Sequence, residues 1–244
     1  MSATLRGVMA QARVELVLSL RRGESLLVSF LVPIGILVFF AKVDTVNTTL
    51  KHPVDFLVPG VLSLAVMSTA MVSLGIATGF ERRYGVLKRL GSTPLSRGGL
   101  LAAKTINVLA IELMQAAVIV GTGLALGWDP KHGLGLAVVW LLVGTIAFAG
   151  IGLLLAGTLR AEATLALANG LFLVLLFLGG MAYPLGRLPD FLESFARVLP
   201  AAALAESVRA ALRGNAVPWD SVGVLIGWAI LAPLAATRFF RWEE

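Results

Sequence analysis

The chain has 244 residues, of which 58% are hydrophobic and only 14% charged, and its mean hydropathy is +0.90. This excludes an ordinary soluble domain and leaves an integral membrane protein; a crossing takes about 20 apolar residues, so several spans leave no room for a large catalytic domain. The net charge of +6 sits between apolar runs rather than among exposed aromatics, which indicates membrane topology and not nucleic acid, and the absence of cysteine excludes disulfides, thiolate metal sites and a cysteine nucleophile.

Residues 4–22 place Leu5, Val8, Met9, Ala12 and Leu16 on one stripe opposite Arg6, Arg13 and Glu15, the pattern of an amphipathic helix on the membrane surface. Arg13, Glu15, Arg21 and Arg22 interrupt every apolar run there, so no signal-peptide pattern is present. A first span is predicted over 25–41, with Pro33 tolerated because a neighbouring helix can satisfy the carbonyl it frees. A second span covers 56–80, and the polar interval 81–104 follows it. Spans three to six are predicted over 105–127, 133–159, 163–183 and 221–237.

The interval 184–220 is too long for a turn and too polar for another crossing. In it Phe191, Leu192 and Phe195 oppose Asp190, Glu193 and Arg197; Pro200 then restarts a helix that Gly214 ends, with Leu204, Val208 and Leu212 opposite Glu206, Arg209 and Arg213. Both pieces are shorter than a span and are expected to dip into or lie on one interface. The fold class is therefore a single all-α transmembrane domain over 1–244. It has six spans, an interfacial N-terminal helix and two short re-entrant or interfacial helices between spans five and six.

An inside N-terminus places thirteen of the twenty Lys and Arg residues on the inner side, six of them in 81–104. The expected protein is multi-pass, in the cytoplasmic (inner) membrane, with both termini in the cytoplasm. Trp128 and Trp219 fall at outer boundaries and Trp242 at the inner one, as in an aromatic belt, while Trp140 and Trp228 look deeper.

No G-x-x-x-x-G-K-[ST] phosphate loop occurs, so the chain has no such route to ATP and is not expected to be an enzyme. His52 and His132 lie in separate outer loops without a partner at ligand spacing, and no metal or other cofactor is expected on this chain. Small-residue pairs at Gly75 and Gly79, Gly123 and Gly127, and Gly223 and Gly227 read as helix packing. Glu112 is the only acid well inside a span, about 12 Å from Lys104 by helical rise, and shares a face with Lys104, Val108 and Gln115. A structural carboxyl is the favoured reading, with a proton or cation site as the alternative.

Within 81–104, Leu87, Leu90 and Leu95 supply apolar anchors, while Glu81, Arg82, Arg83, Lys88 and Arg89 supply charge suited to acidic partner residues or lipid head groups. Gly91, Thr93 and Pro94 mark a turn through which force on the loop can reach the spans beside it. The plainer alternative is a topology signal and nothing more. For a substrate path, Ser63, Met67 and Met71 with Asn169, Phe172 and Phe177 offer a soft, mostly apolar lining, which core packing explains equally well.

Three places resemble one family in its own order. They are Phe56-Leu57-Val58-Pro59-Gly60; the run from Glu81 to Leu90 followed by Thr93-Pro94-Leu95-Ser96-Arg97; and Gly179-Gly180-Met181-Ala182-Tyr183-Pro184 with Leu188-Pro189 and Leu199-Pro200 beyond. Together they resemble permease subunits of ABC-2 type exporters, including drug-resistance and antibiotic-export permeases. The family often has Ser-Gly at Gly179-Gly180 and Asn-Pro at Leu199-Pro200.

The resemblance implies a homodimer or close heterodimer of permeases with two copies of a separate cytoplasmic ABC ATPase docked below, which would hold ATP and Mg. It also implies a coupling helix within 81–97, an N-terminal helix that braces it, and two outer helices capping the path. The resulting expectation is the membrane subunit of an ATP-driven exporter of hydrophobic or amphiphilic solutes, with membrane lipid as a further partner and no nucleic acid. The competing readings are a secondary carrier using Glu112 and a non-transporting scaffold; inverted repeats expected of many carriers are not obvious.

Overall fold

In the computed structural model of the protein, residues 3–21, 23–42, 53–91, 97–130 and 133–241 are described. They form helices and connecting turns, with no strand among them. The expectations placed on Thr93, Pro94 and Leu95, on His52 and His132, and on Trp242 lie outside the described residues.

The axis of the bundle is the helix Val54–Arg83. In it α3 (Val54–Val66), a π-helical segment (Met67–Ser73) and α4 (Leu74–Arg83) run on without a break. Its apolar window is 83% buried, against 22–44% for the other helices of spanning length, so it is enclosed by protein rather than set against lipid. Small residues allow the enclosure. A Cβ on Gly60 would lie 2.0 Å from the Met181 carbonyl oxygen, and one on Gly152 would lie 2.5 Å from that of Met71, so backbone meets backbone at both places.

Around the axis stand α6 (Arg97–Ala125), α7 (Leu134–Thr158), α8 (Ala161–Leu178) and α11 (Trp219–Phe239). Among the described residues five helices are long and apolar enough to cross a membrane: the axis, the Ala102–Ala125 part of α6, and α7, α8 and α11. The first expected span is not one of them, because the apolar stretch described in α2 (Gly23–Lys42) is the shorter Ser29–Lys42. The reasoning about its proline does hold. Pro33 cannot donate to the Ser29 carbonyl four residues back, and Gln115 on α6 donates its Nε2 to that oxygen at 3.0 Å instead.

Two element boundaries differ by more than three residues from those predicted. The third apolar helix begins at Arg97 rather than 105, because α1 (Ala3–Arg21) packs along this stretch and buries Ala103 with Val8 and Ala12. The fifth ends at Leu178 rather than 183, because Gly180 turns into the left-handed region at φ 61° and its carbonyl accepts a hydrogen bond from Arg209 Nη2 at 2.8 Å.

The short helices of 184–220 are α9 (Asp190–Arg197) and α10 (Pro200–Arg213), with a 3-10 turn at Leu185–Arg187. In α9 Phe191 and Phe195 point outward, and Arg197 Nη2 meets Glu193 Oε1 at 2.6 Å. Helix α10 is packed into the bundle: its alanines from Ala201 to Ala205 are buried, and Leu204 sits over Gly144 of α7. Arg209 lies 3.8 Å from the ring centre of Phe56 at the start of the axis. Burial lowers the pKa of both Arg209 and Arg213. Trp128 also turns inward, buried against Gly123 rather than standing in an aromatic belt, whereas Trp219 is exposed.

Candidate functional site

The end of the axis opposite Phe56 carries the charged chemistry. Helix α4 stops after Arg83 because Gly85 takes φ 67°, and the chain turns into the short α5 (Val86–Gly91). Just before the stop, Glu81 Oε2 meets Lys104 Nζ of α6 at 2.6 Å, and the same ammonium meets Glu15 Oε1 of α1 at 3.3 Å. Lys104 is 3% exposed, Glu15 12% and Glu81 17%, so three helices share one largely buried charge cluster. Gln11 Nε2 donates to Glu15 and Asn107 Nδ2 donates to Ser19, which extends the seam between α1 and α6.

The other side of the same turn is held by arginines. Arg82 is 5% exposed and donates to the carbonyl oxygens of Leu159, at the end of α7, and of Arg241, after α11. Arg83 pairs with Glu162 in the first turn of α8. The Arg241 amide donates to Gly157 at 3.0 Å, so the ends of α4, α7, α8 and α11 are tied into one block. Tyr84 stacks on Phe80 and is 65% exposed, Val86 is 36% exposed, and Lys88 and Arg89 are exposed beside them.

Above the charge cluster is a cavity of about 490 Å³ between α1, α2, the π segment, α4, α6 and α8. Glu15, Glu81 and Lys104 form one end; Ser19, Ser68, Ser73, Asn107 and Asn169 supply polar walls; Val32, Val72, Ile76, Val108 and Phe172 supply apolar ones. The π segment shapes it. On an α-helix residues five apart stand about 140° from one another, whereas an i→i+5 turn returns Ser68 and Ser73 to one side, and both line the cavity. Gln115 fixes the geometry by accepting from Thr69 Oγ1 of the π segment at 2.8 Å while donating to Ser29 of α2. Glu112 is outside the cavity lining; its Oε2 accepts from Thr145 Oγ1 at 2.6 Å and joins α6 to α7.

The sequence model of the family described as ABC-2 type transporter matches residues 8–212. The chain belongs to that family. Among curated proteins it is similar to YvfS of Bacillus subtilis, named as a transport permease, with 26% identity over 92% of this chain and 93% of the relative. It is also similar to DrrC of Mycobacterium tuberculosis, named as a doxorubicin resistance ABC transporter permease, with 24% identity over 72% of this chain and 64% of the relative. ABC transporter G family member 20 of Dictyostelium discoideum is 25% identical over 72% of this chain, which spans only 25% of that longer protein. The chain is thus a multi-pass ABC-2 transporter membrane subunit.

On this family member the expected coupling residues divide into two sets. Glu81, Arg82 and Arg83 are engaged with other helices of the chain, and Leu87 is 1% exposed, so it packs inward. Val86, Lys88 and Arg89, with Tyr84 ahead of them, form the exposed face; Leu90 belongs to α5, but its side chain is outside the described set. Of the proposed substrate path, Asn169 and Phe172 line the cavity. Ser63, Met67 and Met71 are fully buried outside the cavity lining, and Phe177, also outside it, is 60% exposed. The face of the axis that meets the cavity is instead Ser68, Val72, Ser73 and Ile76.

Sequence reasoning gave no site role to Glu15, Gln115 or the Ser68–Ser73 pair. Pro33 was the usable signal for Gln115, since the carbonyl it frees needs a donor from another helix.

Proposed function

We propose that this ABC-2 subunit is the permease half of an ATP-driven exporter that moves hydrophobic or amphiphilic solutes out of the cytoplasm or inner leaflet. In this reading a separate ABC ATPase docks on the α5 face, two permeases and two ATPases make the transporter, and ATP with Mg is held by the ATPase. The observation that carries it is mechanical continuity: α5 is joined through one glycine turn to α4, which continues through the π segment along the cavity wall. Arg82 and Arg83 tie the base of that lever to α7, α8 and α11, so a push on α5 is transmitted rather than absorbed locally. The drug-resistance name of DrrC supports a drug-like cargo. The charge count supports cytoplasmic termini in an inner membrane. With α2 counted as a sixth crossing, α1 and α9 lie at the two interfaces and α10 caps the path from outside.

The test is co-purification with a candidate ABC ATPase subunit. Lys88→Glu/Arg89→Glu is expected to lower ATPase capture about tenfold or more while leaving the elution profile of the permease unchanged. Undiminished capture would remove α5 as the dock. Leu87→Asp is a poor probe, because it places a charge at a buried position.

Glu112 provides the test against an ion-coupled carrier. Glu112→Gln retains an oxygen that can accept from Thr145, so ATP-driven transport in proteoliposomes is expected to remain within about twofold of the parent protein. Solute movement driven by a proton gradient in the parent alone, and lost in the variant, would move the assignment to a secondary carrier.

A further inference from the structure

The axis is fixed separately at its two ends. At one end Arg82 and Arg83 tie it to α7, α8 and α11; at the other Gly60 lies against the Met181 carbonyl and Phe56 under Arg209. Between them the π segment is a widened turn that takes up more chain than an α turn. Tightening it to α geometry would turn one end against the other by about 100° for each residue absorbed. With both ends held, the widened turn can move along the axis but cannot vanish.

Its neighbours decide which way it can move. Toward α3 the axis carries large buried side chains, Leu62, Leu64 and Val66 among them, packed into the core. Toward α4 a Cβ on Gly75 would meet only the backbone of Gly152 first, and Ser73, Ile76 and Ala77 border the cavity. One side-chain contact opposes that movement. Buried Thr69 donates to Gln115 Oε1 at 2.8 Å, and the Gln115 amide cannot turn over, because its Nε2 is committed to the Ser29 carbonyl at 3.0 Å. Deprived of Gln115, the Thr69 hydroxyl has the carbonyl four residues back as its local acceptor, the bond that Ser63 makes to Pro59 within the α-helical part of the axis.

We infer that Gln115 is a register latch: it holds the widened turn beside the cavity, and without it the turn passes toward α4 and carries Ser73 off the cavity wall. Gln115 is thus a positioning residue for the wall although it does not line the cavity. The inference deepens the exporter reading by naming the place where movement of the coupling end alters the cavity, and rests on that reading for this statement alone.

The chain has no cysteine, so introduced pairs report the register directly. Ser68→Cys/Ser73→Cys places two thiols one π turn apart, where copper-phenanthroline oxidation should close a disulfide. On an α-helix the same Cα atoms lie about 9 Å apart, beyond disulfide reach. Ser68→Cys/Val72→Cys, four residues apart, is the control, since its Cα atoms remain about 6 Å apart on an α-helix. In the full chain in nanodiscs, Thr69→Val and Gln115→Leu are each expected to lower closure of the five-apart pair about fivefold or more while leaving the four-apart pair within about twofold. Thr69→Ser, which keeps the hydroxyl, is expected to close both pairs as the parent does.

Undiminished closure of the five-apart pair in both variants would overturn the inference. So would equal loss of both pairs, which marks general loosening, or a Thr69→Ser protein that behaves as Thr69→Val. These measurements use the permease alone and stand apart from the exporter reading. With an ABC ATPase bound and its cycle trapped by vanadate, the five-apart pair is expected to stop closing in a chain whose latch is intact. Continued closure there would keep the latch and remove it from the transport cycle.

Discussion

Gly60→Ala is expected to destabilise the folded subunit strongly, although alanine is the better helix former by about 1 kcal/mol. The added methyl would stand 2.0 Å from the Met181 carbonyl oxygen and 2.9 Å from its carbon, where no side-chain rotation can relieve the contact. Either the axis moves away from the Gly180–Met181 turn or the turn unwinds. Both disturb the same joint, because Gly180 holds φ 61° and accepts from Arg209, which in turn stacks over Phe56. The expected loss is about 3 kcal/mol, the upper end of overpacking costs. It would be read as a lowered unfolding midpoint and a diminished monodisperse peak on size exclusion. Gly35→Ala is the control: no heavy atom lies within 4 Å of the place its methyl would take, so the variant should be neutral or slightly stabilising. Similar losses in both variants would show that backbone contact at Gly60 is not what orders the Phe56 end of the axis.

This contact also marks how far the sequence could be read. Apolar length revealed most of the helices, since that signal is local, and Pro200 and Gly214 do bound α10. The FLVPG run and the coupling segment stood out as strings, but the partner of Gly60 lies at Met181, and no periodicity connects them. The same limit governs the candidate site. An α-helical period put Ser63, Met67 and Met71 on one face, and the π segment turned Ser68, Val72 and Ser73 toward the cavity instead. Leu87 looked like an exposed anchor because its neighbours are charged, whereas burial depends on how the Gly85 turn folds α5 back. Glu15 was read as the polar side of a surface helix; its role follows only from α1 lying on α6, which brings residues 89 positions apart to 3.3 Å.

Lys104→Met is expected to be the second large loss. The substitution keeps an unbranched stem of similar length and removes the one ammonium that Glu15 and Glu81 share, leaving two acidic groups close together with little water around them. Breaking a buried ion pair from one side costs about 3–5 kcal/mol, and partial exposure of the two carboxylates places the expectation at the lower figure, about 3 kcal/mol. The loss should concentrate in the seam between α1 and α6, read as faster hydrogen exchange over α1 than over α7. Neutralising the whole cluster in Lys104→Met/Glu15→Gln/Glu81→Gln should recover most of the stability, since the triple variant no longer holds like charges together. A Lys104→Met protein as stable as the parent would remove the cluster as the tie between α1 and the axis.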